Sequence, residues 1–479
     1  MTSGALAAID LGATSGRVIL GHVGPDILET ETVARFSNTP VRTPDALHWD
    51  ILHLYGSAVA GLRDVVRREP GLRTVGIDSW AVDYGLMRSG ALLGNPVHYR
   101  DERTARGVRR VHSRFTHREL FARNGLQFLP FNTLYQLAAE DDETLALADR
   151  ILLIPDLFAY WLTGEQRAEA TNASTTGLID VRTGFWDLHL LDELGLRRSL
   201  LPELISPGET IGELRAPVSD ALGARAGVPV TAVGSHDTAS AVVAVPMNTE
   251  GAAYISCGTW GLVGTEVSSP VVTPAALAAK FTNEAGVDGR VRLLRNVMGL
   301  WILSETIRGW EAAGHSVELS ALLDAARDVP ARDVPVFDVD DARFLPPGDM
   351  ISRIDAWCDE QGLRAPRTQA EYARSIVESL AAAFAATAHT AAELSGIPLS
   401  VVHIVGGGAL NELLCQRTAD AAGVPVVAGP VEATALGNLL VQARAVGIIT
   451  GSLESLRDIV ARTQQLSRYL PTGRRGPCG

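Results

Sequence analysis

The chain has 479 residues, more than one hydrophobic core usually accommodates, and at about 150 residues per domain this length predicts two or three domains. Hydrophobic residues make up 46% of the chain and charged residues 20%, which excludes intrinsic disorder. The formal net charge of −13 argues against a protein that binds nucleic acids or anionic membranes.

The only lysine, Lys280, restricts how the chain can bind ATP. A P-loop and a protein-kinase fold each need a lysine at a fixed place relative to a glycine-rich loop. Lys280 lies in AKFTNE and follows no such loop. If the chain binds ATP, its backbone must hold the phosphates in another way.

The cysteines and the apolar segments indicate a cytosolic protein. No two cysteines form a C-x-x-C pair, so we expect neither a thiolate metal site nor a disulfide framework. No apolar run approaches the roughly 18 residues that span a bilayer, and no basic segment precedes an apolar one at the start of the chain. We therefore expect a soluble protein in the cytoplasm.

Two glycine-bounded hairpins, about half the chain apart, suggest an internal repeat. In the first, ALAAID turns through LGATSG into RVILGHV, and a third strand is expected around 27–36. In the second, GAAYISCGTWGLVGTE begins near residue 251. Gly258 lies 246 residues after Gly12, which aligns Ser256 with Asp10. This spacing predicts two related domains whose turns can face a shared cleft, unless the hairpins are unrelated.

Two aspartates at the ends of predicted strands are candidates for catalysis. Asp10 precedes a tight turn whose backbone N–H groups can bind an anion, and a carboxylate there can hold Mg²⁺ through water. Asp237 begins a predicted helix, whose dipole favours the ionised form that a general base for phosphoryl transfer needs. The alternatives are an Asx turn at Asp10 and a helix-capping role at Asp237 or Ser235.

A glycine triplet, Gly406 to Gly408, follows the predicted strand VVHIV and precedes a predicted helix. Residues without Cβ allow a flat ligand such as adenine to lie against the backbone. The alternative is an ordinary turn between a strand and a helix.

Together, these segments resemble the FGGY family of carbohydrate kinases over residues from about 5 to 450. DLGATSGR and IVGGG are common to the wider superfamily of sugar kinases, Hsp70 and actin. FLPFNTLYQL and SHDTASAV are narrower and resemble the branch of the family that phosphorylates L-rhamnulose. The remaining motifs that carry the resemblance are GIDSWAVDYGL, YRDERT, IPDLFAYWLTG, TNASTTGLID, ISCGTWGLVG and NVMGLW.

The resemblance implies an α/β fold with two ribonuclease H-like domains of the actin-like ATPase superfamily, each with a mixed five-stranded sheet, around a central cleft. The N-terminal domain would comprise residues 1–247 and the C-terminal domain 248–465, followed by a tail, 466–479, whose last stretch, PTGRRGPCG at 471–479, is expected to be frayed. The implied reaction transfers a phosphoryl group from ATP, with Mg²⁺, to the first hydroxyl of L-rhamnulose in rhamnose catabolism. Neither a nucleic acid nor a membrane is an expected partner, and the chain would be a monomer or a homodimer.

The resemblance also assigns roles to individual residues. Asp237 matches the catalytic base, and Asp10 matches the carboxylate on the metal side. The matched sugar contacts are Ala81, His236, Thr238 and Asn296. The matched ATP contacts are Ala13, Thr14, Ser15, Gly16 and Arg17 in the first turn, Thr259 in the second, Ser304, and Gly407 at the adenosine site.

Two positions depart from the family pattern. Ala81 replaces a glycine that contacts the sugar, so its methyl group would reshape the pocket or need an altered backbone. Ser304 replaces a glutamine near the nucleotide. Three alternatives stay open: a kinase for L-fuculose, xylulose or a related ketose, a sugar-responsive regulator, and a chaperone-like ATPase. Because the first hairpin begins at about residue 5, we expect no N-terminal DNA-binding domain, and the net charge of −13 also opposes the regulator.

Overall fold

The computed structural model describes residues 3–472, which form two compact units. The first unit comprises residues up to 244, 266–293 and 433–463, and the second comprises 245–265, 294–432 and the residues from 464 onward. Each compact unit is thus built from several segments of the chain. The division of the sequence into an N-terminal domain, 1–247, and a C-terminal domain, 248–465, stays a prediction. Residues 473–479 of the expected tail, with Cys478, lie outside the described residues.

The strands belong mostly to two large sheets. They are β1 (Gly4–Leu11), β2 (Ser15–Gly24), β3 (Ile27–Ser37), β4 (Val41–Arg42), β5 (Leu47–His48), β6 (Val75–Ser79), β7 (Tyr84–Arg88), β8 (Ala91–Leu92), β9 (Arg150–Leu153), β10 (Arg167–Glu169), β11 (Glu203–Ile205), β12 (Thr210–Glu213), β13 (Pro229–Thr231), β14 (Ala252–Cys257), β15 (Trp260–Val267), β16 (Thr282–Ala285), β17 (Val291–Met298), β18 (Val401–Val405), β19 (Val426–Ala428) and β20 (Ser467–Tyr469).

The α-helices connect and flank these strands. They are α1 (Ile51–Arg68), α2 (Thr104–His112), α3 (His117–Asn124), α4 (Thr133–Ala138), α5 (Asp142–Leu147), α6 (Ile154–Thr163), α7 (Ala170–Ala173), α8 (Leu188–Leu194), α9 (Ala216–Leu222), α10 (Asp237–Val243), α11 (Pro274–Ala278), α12 (Trp301–Ala312), α13 (Leu319–Asp328), α14 (Met350–Glu360), α15 (Gln369–Ser395), α16 (Glu412–Ala422), α17 (Ala433–Ala445) and α18 (Leu453–Thr463).

The sheet of the first unit has six strands in the order β12-β13-β6-β1-β2-β3. β1 pairs antiparallel with β2 and parallel with β6, and β6 pairs parallel with β13. Every residue of β1, GALAAIDL, is buried, as expected for a central strand that is covered on both faces. The predicted third strand is present as β3.

The sheet of the second unit contains strands in the order β17-β15-β14-β18-β19-β20. β14 pairs antiparallel with β15 and parallel with β18, and β18 pairs parallel with β19. The order β17-β15-β14-β18-β19 repeats the order β3-β2-β1-β6-β13 of the first sheet. The two hairpins that the sequence predicted therefore occupy equivalent places in two sheets of the same topology.

The predicted α/β class with mixed sheets is confirmed, but the predicted count of five strands per sheet is too low. β12 pairs antiparallel with β13 at an edge of the first sheet, and β20 pairs antiparallel with β19 at an edge of the second. These short strands satisfy backbone groups that the edge strands would otherwise leave unpaired. β20, at 467–469, lies within the predicted tail, 466–479, and before the stretch 471–479 that is expected to be frayed.

Helices are positioned on the sheets by apolar faces and by residues that cap their ends. α1 begins where the Asp50 side chain accepts a hydrogen bond from the His53 N–H at 3.2 Å. α15 begins where Thr368 Oγ1 accepts from the Glu371 N–H, and it ends at Gly396, whose φ of 72° few other residues adopt. α1 packs into the core of the first unit and α15 into that of the second. No helix between residues 3 and 472 has the length and apolar character to cross a membrane.

Candidate active site

The polar residues of the first unit gather at the edge where parallel strands end. Asp10 of β1 pairs in register with Asp78 of β6. One residue further on, the N–H of Ser79 donates to the carbonyl of Ser235 at 2.9 Å, which brings the segment before Asp237 to the same edge. Ligands of open α/β sheets bind outside the carboxyl ends of strands, so this edge is the candidate active site.

Asp10 and Arg17 face each other across the first hairpin. They pair in register between β1 and β2, and the Arg17 guanidinium donates to the carboxylate of Asp10. The turn between them is closed by a hydrogen bond from the Gly12 N–H to the Ser15 carbonyl at 2.9 Å. Asn38 supports the turn, because its Nδ2 donates to the carbonyl of Gly12 at 2.8 Å. A carboxylate and a guanidinium therefore flank a fixed turn at the edge of the sheet.

The predicted first phosphate loop is divided between the turn and a strand. Ala13 and Thr14 lie in the turn, whereas Ser15, Gly16 and Arg17 already belong to β2. Thr14 is exposed, and its carbonyl accepts from the Asn38 N–H at 3.0 Å. The exposed part of the loop is thus shorter than the motif.

Asp78 is a carboxyl group that the sequence motifs did not single out. It is fully buried, its Oδ2 accepts from Asn438 Nδ2 at 2.5 Å, and its Oδ1 has no hydrogen-bond partner among residues 3–472. Burial, and then the negative charges of Asp10 and Asp237, raise the pKa of Asp78 well above its usual range. This side chain therefore favours its protonated form beside the other two carboxylates.

The segment that carries Asp237 is held by hydrogen bonds to the buried carboxylate of Glu169. Glu169 accepts hydrogen bonds from the N–H of Ser235 at 3.0 Å and from its hydroxyl at 2.7 Å. Asp237 begins α10, and its Oδ1 accepts from the Thr238 N–H at 2.6 Å. The side chain of Asp237 is 33% exposed, while His236 and Thr238 are buried. Of the side chains of His236, Asp237 and Thr238, that of Asp237 is therefore the one exposed enough to reach a substrate.

His236 connects Asp237 to a buried ion pair. Its Nε2 lies 3.5 Å from Asp237 Oδ1, and its Nδ1 lies 3.2 Å from Glu284 Oε2. Arg292, fully buried, places Nη2 3.0 Å from the same Glu284 oxygen. Burial alone would raise the pKa of Glu284, but the charges of Arg292 and His236 lower it below its usual value. A charged carboxylate thus lies beside the imidazole on the side away from Asp237.

Ala81 lies in the loop between β6 and β7, at the same edge of the sheet. The N–H of Trp80 donates to the carbonyl of Leu11 at 3.1 Å, which ties the loop to the first hairpin. The altered backbone that the sequence suggested for Ala81 occurs at the next residue, Val82, whose φ is 70°. Ala81 itself is half-buried.

The predicted nucleotide contacts outside the first hairpin all lie in the second unit. Thr259 is exposed in the turn of the second hairpin, and its carbonyl accepts from the N–H of Trp301 at 3.3 Å. Trp301 begins α12, which also carries the exposed Ser304. The structure therefore brings Thr259 and the start of the Ser304 helix together. Asn296, the remaining sugar contact, is half-buried in β17.

The three glycines of the triplet have different environments. Gly406 has a φ of 79°, and a Cβ on Gly408 would lie 2.4 Å from Cys257 Sγ, so both positions exclude a side chain. A Cβ on Gly407 would meet no atom of the described residues within 4 Å, and this residue is exposed. Gly407 is therefore the member of the triplet with open space for a ligand.

Several polar residues of the site could not be assigned from the motifs. Glu284 and Arg292 lie in segments without a recognised motif, and Glu169 precedes one. Asp78 did carry a signal, because an acidic residue in the buried strand VGIDS parallels the one in AAIDL. Within residues 3–472, no group of three or more His, Cys, Asp or Glu side chains is placed to hold a metal ion.

Comparisons with known proteins agree with this arrangement. Residues 5–244 match the N-terminal domain of the FGGY family of carbohydrate kinases, and residues 253–446 match its C-terminal domain. Rhamnulokinase of Pectobacterium atrosepticum is 40% identical over 97% of this chain and 93% of its own length. Rhamnulokinase of Bacteroides thetaiotaomicron is 38% identical over 97% of this chain and 95% of its own length.

Solved structures share the fold at lower sequence identity. Gluconate kinase from Lactobacillus acidophilus superimposes with a TM-score of 0.80 at 17% identity, over 98% of this chain and 94% of its own. Plasmodium falciparum glycerol kinase with ADP gives 0.77 at 16% identity, over the same shares of the two chains. The actin-like ATPase fold expected from the sequence is thus confirmed. The chain belongs to the FGGY family of carbohydrate kinases, and it is an ATP-dependent sugar phosphotransferase.

Proposed function

We propose that this enzyme transfers the γ-phosphoryl group of ATP to the first hydroxyl of L-rhamnulose. The observation that carries this proposal is the identity of 40% and 38% to two rhamnulokinases along nearly the whole chain. The geometry of the first unit supports it, because Asp237 presents a partly exposed carboxylate at the sheet edge that also holds Asp10 and Arg17.

Asp237 is the proposed general base. Its carboxylate would accept the proton of the sugar hydroxyl while the new O–P bond forms and the bond to the β-phosphate of the leaving ADP breaks. The transition state of phosphoryl transfer is loose, so proton removal can come late and a carboxylate suffices as the base. The sugar contacts in this proposal are Ala81, His236, Thr238 and Asn296.

Asp10 is the proposed carboxylate on the metal side. It supplies the oxygen ligands that Mg²⁺ prefers, and Asp78, with its unpartnered buried Oδ1, lies in register beside it. Mg²⁺ bound with ATP would neutralise charge on the phosphates during transfer. The cation of Arg17 and the N–H groups of the hairpin turn would orient the phosphates.

The remaining nucleotide contacts are proposed in the second unit. Thr259 and Ser304 would contact ATP, and Gly407 would leave room for the adenosine. We retain 1–247 and 248–465 as the proposed N- and C-terminal halves of the enzyme.

The test is ADP release by the purified enzyme with L-rhamnulose, L-fuculose, xylulose and fructose. We expect the largest kcat/KM with L-rhamnulose and measurable turnover of stereochemically matched ketoses with a hydroxymethyl group. An apolar pocket rejects one additional hydroxyl by only about 10²-fold, which sets the expected margin. A larger kcat/KM for xylulose or L-fuculose would disprove the assignment to L-rhamnulose and leave the kinase activity intact.

A further inference from the structure

The loop Trp80–Asp83, between β6 and β7, contains a strained residue that the reaction described above does not explain. Val82 has a φ of 70°, in the left-handed region that a β-branched residue rarely adopts. It is buried, and the loop lies at the sheet edge beside the Asp237 segment. Such strain persists only where the surroundings over-determine the conformation, and it occurs preferentially at functional sites.

Two buried polar side chains of α4 hold the strained residue. Thr133 Oγ1 donates to the carbonyl of Val82 at 2.6 Å. Gln136 Nε2 donates to the same carbonyl at 3.3 Å and to Asp83 Oδ1 at 2.8 Å. Both side chains are fully buried, and both belong to the motif FLPFNTLYQL, to which the catalytic steps assign no role.

Asp83 collects further donors on its other oxygen. Oδ2 accepts from Trp49 Nε1 at 2.6 Å, from Trp80 Nε1 at 3.1 Å and from the N–H of Tyr99 at 3.3 Å. The two indole rings lie 4.1 Å apart between centroids. Each of these groups donates to the carboxylate, so one buried acceptor fixes both the end of the loop and the indole at its start.

A buried polar network of this kind is not the most stable way to fill a protein interior. Apolar residues of similar volume often stabilise a fold equally well or better, so such a network is better explained by the geometry that it imposes. The geometry imposed here is that of the backbone around Ala81, which we have proposed as a sugar contact. The network and the strained residue therefore belong to the same loop, Trp80–Asp83.

We propose that Thr133, Gln136 and Asp83 are positioning residues that hold the Trp80–Asp83 loop in the conformation that selects the ketose. The inference rests on the proposed function, since it needs the loop to line the sugar site. It explains why the narrow motif FLPFNTLYQL accompanies GIDSWAVDYGL in this chain: the first supplies the donors, and the second supplies the strained loop that they hold.

The test compares Gln136→Met and Thr133→Val with Thr387→Val in ADP-release assays. Thr387 is a matched control, because it is a buried helical threonine whose hydroxyl donates to the Ala383 carbonyl, far along the chain from the loop. We expect Gln136→Met to raise KM for the preferred ketose by about tenfold or more, the scale of one lost buried hydrogen bond with its partner left unpaired. KM for ATP should change less than twofold. Thr133→Val should also raise KM for the ketose more than KM for ATP, but by a smaller factor than Gln136→Met.

A second substitution distinguishes positioning from general loosening. Glycine adopts a positive φ without strain, so adding Val82→Gly to Gln136→Met should recover part of the ketose KM. Equal changes in KM for ketose and for ATP, or no change in either, would overturn the proposal, as would a Thr387→Val variant with the same defect. The assays use whichever ketose the wild type prefers, so an error in the choice of L-rhamnulose would not obscure the result.

Discussion

The two hairpins share a topology but differ in charge. In the first, Asp10 pairs with Arg17 on one side and with Asp78 on the other. In the second, Ser256 occupies the same place and pairs with Leu262 and Val405. The repeated scaffold thus keeps its backbone pattern, while ionisable groups at these positions occur in one copy. The two copies therefore offer different side chains on the same framework, and the proposed metal and proton chemistry falls to the first.

The turns of the two hairpins are held in comparable ways. In the first, Asn38 contacts the carbonyls of Gly12 and Thr14 through its side chain and its N–H. In the second, the N–H groups that precede and begin α12 donate to the carbonyls of Gly258 and Thr259, at 2.9 and 3.3 Å. Both turns therefore have their carbonyls bound by a neighbouring segment, which favours presenting N–H groups to an anion.

The largest expected effect concerns Asp237, the proposed base at the edge of the first sheet. Asp237→Asn keeps the shape of the side chain and removes its ability to accept the proton, so kcat should fall by about 10²–10⁴-fold. The thermal unfolding midpoint and ATP binding should stay close to those of the wild type. Asp26→Asn, at a side chain that is 83% exposed, serves as the control. A kcat near the wild-type value would refute the assigned role.

Two substitutions in the glycine triplet test the proposed adenosine contact in the second unit. Gly408→Ala would place its Cβ 2.4 Å from Cys257 Cβ and Sγ, and overpacking of this kind should lower the free energy of unfolding by about 1–3 kcal/mol. Gly407→Ala meets no atom within 4 Å, so stability should hold while KM for ATP rises. Urea unfolding and ATP titrations of the two variants give both quantities. If Gly407→Ala left KM for ATP unchanged, adenosine would not lie against this residue.

A smaller effect should appear in the pH dependence of stability. Burial raises the pKa of Asp83 to about 6 from 3.8, although its hydrogen bonds to Trp49, Gln136 and Trp80 oppose the shift. Because the folded pKa exceeds the unfolded one, this group contributes stability that is fully present below pH 3.8 and is lost as pH rises through 6. From pH 7 to pH 5, the wild type should gain about 1 kcal/mol relative to Asp83→Asn. Parallel denaturant titrations at the two pH values measure this gain, and a difference of opposite sign would contradict it.

Much of the fold could be predicted because its signals are local. The glycine-bounded turns of the hairpins marked β1, β2, β14 and β15, and the spacing of the hairpins indicated the repeat that the strand orders confirm. β12 and β20 were missed because edge strands of three or four residues depend on hydrogen bonds offered by a neighbouring strand, and their own sequence pattern is weak.

The residues of the candidate site also differ in whether a local sequence signal revealed them. Asp10 and Asp237 could be proposed because each follows a predicted strand and precedes a turn or a helix. Glu284 and Arg292 could not, since their contacts to His236 join residues about fifty positions apart and depend on tertiary packing. Asp78 falls between these cases, because its position in a buried strand was visible and its partner Asn438, 360 residues away, was not.

The proposed chemical difference between the hairpins is tested most directly by the Mg²⁺ concentration that half-saturates phosphorylation at saturating ATP and ketose. The measurement compares Asp10→Asn with Ser256→Ala, the aligned position of the second hairpin. We expect Asp10→Asn to raise this concentration by about 10-fold or more, as loss of a group that orients a metal and its waters does, and Ser256→Ala to change it less than twofold. Equal shifts in the two variants, or a larger one in Ser256→Ala, would contradict the placement of the metal at the first hairpin.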